Sequence, residues 1–189
     1  LRPNFNSTTS SVARTRGASS LEDLSTDTDG PIKVVSESGT LTIAGGSDGQ
    51  GVSAAGSGDV LLEARGSGGN VVINAEVVSV TGNITLDAGN DLTVSSSVST
   101  GGSGTVYMVA VNEITVTESV ITVSGDILVE AGTNLSQDAA ITSTSGDVGL
   151  IAVNHLIQGV TSSVVSGGNS LVKVGGDWTM LGNASVTVG

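Results

Sequence analysis

The sequence predicts an all-β fold, a parallel β-solenoid (triangular β-helix) of about seven coils of 19–24 residues. The first observation is a recurring glycine, and apolar residues follow most of these glycines on alternate positions, as in Ile84, Leu86 and Ala88. The second is composition, since only 2% of the residues are aromatic and 13% are charged, so the core must consist of small aliphatic side chains. A fixed period with internal alternation is typical of stacked β-repeats. The glycines are spaced by 19, 24, 22, 21, 21 and 22 residues, at Gly39, Gly58, Gly82, Gly104, Gly125, Gly146 and Gly168.

Three strands are expected in each coil. The first follows the glycine, the second is marked by pairs such as Leu92 and Val94, and the third centres on residues such as Val98. Each strand then pairs in parallel with its equivalent one coil away, about 4.8 Å along the axis, which gives a rod roughly 34 Å long. The coil at 39–57 carries few large apolar residues, and we expect a frayed or capping turn there.

Charge and periodicity divide the chain into two predicted regions. Residues 1–30 are rich in Ser and Thr and lack periodicity, so we expect an extended basic arm or linker, followed by the solenoid at 31–189. Arg2, Arg14 and Arg16 give residues 1–20 a charge of +3, while the whole chain carries −12, which leaves −15 on the remainder. The arm can therefore bind the acidic surface of its own solenoid or of a neighbour.

Polar residues that follow the recurring glycines are expected to stack at one corner. Asp126 lies one coil below Asp147, which brings two like charges to about 5 Å. Either a divalent cation such as Ca²⁺ binds between them, or the two carboxylates are simply solvated. His155 is the only histidine, and without further ligands we expect a solvated corner residue. Gln137 and Gln158 share an inward register, so their amides are expected to bond each other along the axis.

The outward positions of the first strands predict an apolar stripe on one flat face. Such a stripe indicates a docking surface for the arm, a lateral rod or another partner, although exposed apolar residues also occur for no functional reason. With Arg2, Arg14 and Arg16, the predicted interaction residues are Leu61, Tyr107, Val109, Leu128, Ile151 and Leu171.

Several function classes are disfavoured by composition. The chain has no cysteine, which excludes disulfides and thiolate metal sites. Its acidic balance repels nucleic acid, and no apolar run approaches the roughly 20 residues that a membrane helix needs. Lys33, Arg65 and Lys173 lie on different coils, and no long insertion is present to build a cleft around paired acids. We therefore expect no enzyme and no resident cofactor, with a polysaccharide-active β-helix enzyme as a remote alternative.

Two longer phrases carry a family resemblance. Residues 82–94, read as Gly-Asn-Ile-Thr-Leu-Asp-Ala-Gly-Asn-Asp-Leu-Thr-Val, and residues 125–135 resemble the repeats of filamentous-haemagglutinin-type and giant bacterial surface proteins. The resemblance covers residues 39–188 and implies a right-handed solenoid at the cell surface or secreted, as a fibre or an adhesin stalk. This chain lacks the long secretion domain that many such proteins carry near their start.

The expected function is structural and extracellular. Gly189 follows Gly168 by 21 residues, so we expect an uncapped last coil that offers bare strand edges to another chain. This predicts head-to-tail stacking of copies into a filament, with residues 1–30 locking onto a neighbour. Lateral rods and surface glycans are further candidate partners, and the alternative function is the stalk of a large secreted adhesin.

Overall fold

The computed structural model describes residues 6–7, 11–15, 19–21, 23–46 and 49–189, and the side chains from residue 21 onward within those ranges. All regular structure in these residues is β-strand. The strands are, in chain order, β1 Asn6–Ser7, β2 Ser11–Thr15, β3 Ser19–Leu21, β4 Leu24–Thr26, β5 Ile32–Ser36, β6 Leu41–Ile43, β7 Gln50–Ala54, β8 Val60–Ala64, β9 Val71–Ile73, β10 Glu76–Ser79, β11 Ile84–Ala88, β12 Leu92–Val94, β13 Val98–Thr100, β14 Val106–Ala110, β15 Ile114–Val116, β16 Val120–Thr122, β17 Ile127–Ala131, β18 Leu135–Gln137, β19 Ala140–Ser143, β20 Val148–Ala152, β21 Leu156–Gln158, β22 Ser163–Ser166, β23 Ser170–Val174, β24 Trp178–Met180 and β25 Ser185–Val188.

Every third strand belongs to the same sheet, and all the pairings are parallel. Sheet A runs β1-β4-β7-β10-β13-β16-β19-β22-β25, sheet B runs β2-β5-β8-β11-β14-β17-β20-β23, and sheet C runs β3-β6-β9-β12-β15-β18-β21-β24. The chain thus climbs through three flat faces, one coil at a time. This confirms the predicted all-β parallel solenoid, while the right-handed sense stays a prediction.

Register between coils places inward residues in continuous columns. In sheet B, Leu62 pairs with Leu86, which pairs in turn with Met108, and all three side chains are completely buried. The strands of sheet B from β8 to β17 repeat the same alternation of buried and half-buried positions. Each column buries aliphatic surface against the coils above and below, so stability is shared along the stack.

The recurring glycines mark a corner where successive coils approach closely. A Cβ atom at Gly58 would lie 2.5 Å from the carbonyl oxygen of Gly30, and one at Gly146 would lie 2.5 Å from that of Gly125. At Gly82, Gly104 and Gly125 the overlap with the preceding coil is closer still. None of these five glycines has a positive φ. Glycine is therefore required by the backbone approach and not by a left-handed conformation.

A buried hydroxyl supports this corner from inside. The Ser143 hydroxyl donates to the Gly125 carbonyl at 2.8 Å and accepts the Gly146 N–H at 2.8 Å. Ser79 makes the same pair of bonds to Gly58 and Gly82. The sequence reasoning missed this feature, although a Ser or Thr three residues before the glycine is a readable signal.

Gly39 does not begin a coil, contrary to the prediction. The strand after it, β6, pairs with β9 in sheet C, whereas β5 pairs with β8 in sheet B. The glycine equivalent to Gly58 is Gly30, 28 residues earlier. A loop between β6 and β7 lengthens this coil, which made the spacing from Gly39 resemble a normal period.

The described part of residues 1–30 differs from the predicted arm. There β2 pairs with β5, β3 with β6 and β4 with β7, so this stretch adds a further coil to the stack. Alternation is poor in this part of the sequence, and backbone pairing with the coil formed by β5, β6 and β7 supplies the order that periodicity did not indicate. The number of coils therefore differs slightly from about seven, since sheets B and C each contain eight strands.

Candidate functional site

The outward face of sheet B carries two rows of side chains in strict register. The second and fourth residues of each strand lie on the side away from the core, and their Cα partners continue from β5 to β23, although Val35 in β5 and Gly149 in β20 are themselves buried. We call these the first and second outward rows. The first outward row is Lys33, Leu61, Thr85, Tyr107, Leu128, Gly149 and Leu171, and the second is Val35, Glu63, Asp87, Val109, Glu130, Ile151 and Lys173.

All six predicted apolar interaction residues lie on this face. Leu61, Tyr107, Leu128 and Leu171 belong to the first outward row, while Val109 and Ile151 belong to the second. The stripe is interrupted at Gly149, where Leu128 covers the backbone and its Cδ1 would lie 2.8 Å from an added Cβ. Leu171 is 55% exposed, and the other five side chains are partly buried by their neighbours. That the stripe docks a partner stays a prediction.

Tyr107 is tied to the neighbouring coil through its hydroxyl. The phenol donates to Glu130 Oε2 at 2.5 Å, from the first outward row to the second. This bond, helped by partial burial, raises the pKa of Tyr107 to about 12. The tyrosine therefore presents its ring, and not a free hydroxyl, to a partner.

An acidic cluster with one cation lies at the lower end of the same face. Arg65 holds Glu63 through Nε at 2.5 Å and Nη2 at 3.2 Å, and its Nη1 reaches Glu37 Oε2 at 3.1 Å. Asp87 stands in register with Glu63 on the next strand. Burial, followed by the charge of Glu63, raises the pKa of the Asp87 carboxyl, and Arg65 counters this only in part. Glu63 and Asp87 thus place two carboxylates side by side on this face, with Arg65 as the cation that contacts Glu63 among the described side chains.

The predicted corner ladder is present beside the stacked glycines. The Asn83 N–H donates to Asp59 Oδ1 at 2.7 Å, and the Thr105 N–H donates to Asn83 Oδ1 at 3.0 Å. The Asp147 N–H donates likewise to Asp126 Oδ1 at 2.8 Å. Each side chain thus satisfies a backbone donor of the following coil, which bonds successive coils together.

The two candidate calcium ligands belong to that ladder. Asp126 and Asp147 each use Oδ1 to accept backbone N–H groups, the latter from Asn169 at 2.6 Å. Ca²⁺ takes six to eight oxygen ligands, and one remaining oxygen from each carboxylate is far from enough. Among the residues described, no three His, Asp or Glu side chains come together as a metal site. Calcium binding by Asp126 and Asp147 therefore stays an untested prediction.

His155 takes a ladder position at the next corner. Its Nδ1 accepts the Asp177 N–H at 3.3 Å and lies 3.5 Å from Asp177 Oδ2. The side chain is 51% exposed. The geometry is that of a corner residue that bonds the following coil, as its neighbours in the stack do.

The predicted glutamine ladder lies inside the solenoid. Gln158 Nε2 donates to Gln137 Oε1 at 2.8 Å, and the Trp178 indole N–H donates to Gln158 Oε1 at 2.9 Å. Gln137 Nε2 also donates to the carbonyls of Ala139 and Ser163, both at 2.9 Å. Both glutamines are fully buried, and these bonds satisfy amides that would be costly to bury alone.

The predicted arginine contacts cannot be placed. Arg2 and Arg16 lie outside the described residues, and for Arg14 only the backbone, within β2, is described.

On sheet A, a shallow groove of about 290 Å³ lies where the pairing of β7 with β10 shifts register at Glu76. Glu76 is the only titratable group among the described residues that line it, whereas glycoside cleavage uses two carboxylates.

Comparisons with known proteins identify no relative. No protein family, curated protein or solved structure matches this chain. Within the part of the chain that the structure describes, no helix has the length and apolar character needed to cross a membrane. The structure shows a parallel solenoid. Membership of the filamentous-haemagglutinin-type proteins stays a prediction.

Proposed function

We propose that this chain is a non-enzymatic structural rod of a secreted or cell-surface fibre. The observation that carries the proposal is the continuous parallel pairing of all three sheets, with one register shift in sheet A at Glu76, in which columns of buried side chains and the corner ladders continue from coil to coil. Side chains that elsewhere serve as catalytic acids or ligands here bond the backbone of the next coil. Such an arrangement resists extension and bending, which is what a stalk or fibre requires.

The ladders distribute cohesion along the whole rod. Each coil-to-coil hydrogen bond contributes about 0.5–1.5 kcal/mol, and each buried aliphatic side chain contributes about 1.5–3 kcal/mol. Because every coil contacts only its neighbours, no single site holds the rod together. A stalk gains from this design, since its length can change by whole coils without a new core.

End-to-end stacking is part of the proposal. In the coil formed by β23, β24 and β25, Trp178 and Met180 are 45% and 44% exposed, although their partners Leu156 and Gln158 in the preceding coil are buried. A further coil would cover them, whether it comes from the same chain or from a second molecule. The second case gives a head-to-tail filament, and the first gives the stalk of a longer adhesin.

The resemblance to filamentous-haemagglutinin-type repeats supports an extracellular, bacterial setting for this rod. The net charge of −12 suits a surface that stays soluble and does not bind nucleic acid. Surface glycans and the basic residues at the start of the chain remain candidate contacts within this proposal.

Electron microscopy of the purified protein over a range of concentrations tests the proposal. We expect rods, roughly 38 Å for one molecule with eight strands in sheet B, that lengthen in multiples as concentration rises. Met180→Lys, at an inward position, should stop the lengthening, whereas Thr179→Lys, outward on the same strand, should not. Equal lengthening of both variants, or dispersed single rods at all concentrations of the unsubstituted protein, would contradict end-to-end stacking. Turnover of a polysaccharide would overturn the non-enzymatic role.

A further inference from the structure

The outward face of sheet B is complementary to itself when it is turned around. A dimer with two-fold symmetry uses the same patch on both copies, so residue i meets j and j meets i. We consider an axis parallel to the strands, placed between β14 and β17. It turns two rods into antiparallel neighbours and brings β8 opposite β23, β11 opposite β20 and β14 opposite β17. The first outward row then faces the first, and the second faces the second.

The first outward row matches itself in size under this operation. Leu61 meets Leu171 at each end of the overlap, and Tyr107 meets Leu128 at its centre. Thr85 meets Gly149, so the smaller residues also face each other. Leu171 is the most exposed of the six apolar stripe residues, and contact with Leu61 would cover it.

The second outward row brings opposite charges together at both ends of the overlap. Lys173 meets Glu63, next to Asp87, at the negative end of the face. Among the described residues Lys173 has no ion-pair partner, whereas Glu63 lies in register with a second carboxylate, Asp87, and shares the guanidinium of Arg65. Val109 meets Glu130 and Asp87 meets Ile151, so these two carboxylates each lie opposite an apolar side chain at the edge of the contact, and no two like charges lie directly opposite each other.

Sliding the rods by one coil destroys this match. Moved one way, Asp87 meets Glu130 twice. Moved the other way, Asp87 meets Lys173 and Val109 meets Ile151, but Glu130 meets Glu130 across the axis. Like charges directly opposite are destabilising, so the charges select one register among those with a long overlap. The two neighbouring registers keep neither the Leu61–Leu171 nor the Tyr107–Leu128 contact.

The area of contact is modest. Six strands about 4.8 Å apart and about 17 Å long offer roughly 400 Å² on each rod. A total near 800 Å² is below the size of stable complexes, which bury about 1,200–2,000 Å², so the pairing is weak and depends on concentration. Many such contacts along a fibre would still bundle it laterally.

We propose that the outward face of sheet B binds a second copy of this chain, antiparallel, with β8 opposite β23 and β14 opposite β17. The pairing joins the sides of two rods and is independent of end-to-end stacking. It goes beyond the proposed function by naming the partner and register of one face. Experiments in the Met180→Lys background keep the two kinds of assembly apart.

Cysteine cross-linking reads the register directly, because the chain has no cysteine of its own. A mixture of Leu61→Cys and Leu171→Cys proteins, treated with a short bismaleimide, should give mixed dimers at least tenfold faster than either protein alone. A mixture of Thr85→Cys and Leu171→Cys, which reports the register one coil away, is the matched control. Equal rates for the two mixtures, or fast linking of Leu61→Cys with itself, would overturn the proposed register.

Sedimentation velocity tests the charge pairing. Lys173→Glu should weaken dimerisation at least tenfold, while Lys33→Glu, with the same charge change on the same face but outside the six paired strands, should change it less than twofold. Circular dichroism confirms that both variants remain folded. Equal weakening by both variants would show a non-specific charge effect and refute the pairing, as would a monomer at millimolar concentration in the parent protein.

Discussion

Replacing Gly146 by alanine tests the close stacking of the corner glycines. The added Cβ would lie 2.5 Å from the Gly125 carbonyl oxygen, 2.7 Å from its carbon and 2.8 Å from Asp126 Oδ1. Ordinary contacts of this kind begin near 3.4 Å, so the two coils would have to separate locally by several tenths of an ångström or more. The φ of Gly146 is not positive, and backbone strain therefore adds nothing to the effect.

Separation at this corner also weakens the buried hydroxyl bonds of Ser143, each 2.8 Å long. Overpacking costs about 1–3 kcal/mol, and a buried polar group that loses its partner costs about 1–3 kcal/mol. We expect Gly146→Ala to lower the free energy of unfolding by about 2–6 kcal/mol in total, measured by denaturant unfolding followed by circular dichroism.

Gly68→Ala is the matched control. Nothing lies within 4 Å of the added Cβ at Gly68, and its φ is not positive. The substitution should change stability by less than about 0.5 kcal/mol, or raise it slightly through the unfolded chain. If the two variants were equally stable, the corner glycines would not be in close backbone contact, and the explanation for their period would be wrong.

Three further predictions concern named side chains. Tyr107 is the only tyrosine, so an absorbance titration of the protein should show a pKa near 12. Glu130→Gln should bring that pKa down toward the usual 10. The stability that the bond contributes is present below pH 10 and is lost as the pH rises toward 12. The raised pKa of Asp87 means that its negative charge opposes folding at any pH above that pKa. Asp87→Asn should therefore raise the melting temperature at pH 7, but not below pH 3.8, the ordinary pKa of this carboxyl in the unfolded chain. Glu118→Gln, at an exposed position, should leave the melting temperature unchanged at both pH values. Gln158→Leu should cost about 1–3 kcal/mol in denaturant unfolding by leaving a buried amide oxygen without its donor, and no loss would contradict the ladder.

The candidate surface was partly readable from the sequence. Alternation alone placed Leu61, Tyr107 and Leu128 on an outward face, because a strand puts every second side chain on the same side. The bond from Tyr107 to Glu130 and the link from Arg65 to Glu37 were not foreseen. Both join residues on different coils along a diagonal or around a corner, and such contacts depend on side-chain direction and corner geometry, which spacing does not report.

The sequence by itself determined the solenoid, its three strands per coil and most of its buried columns. In a regular stack every residue meets the one a single period away, so a spacing of 21–24 residues translates directly into contact in space. That translation fails where a coil changes length. Only the tertiary structure showed that Gly30, and not Gly39, opens the coil below Gly58, and that part of residues 1–30 joins the sheets. Backbone pairing with the adjacent coil decides those placements, and no local pattern records it.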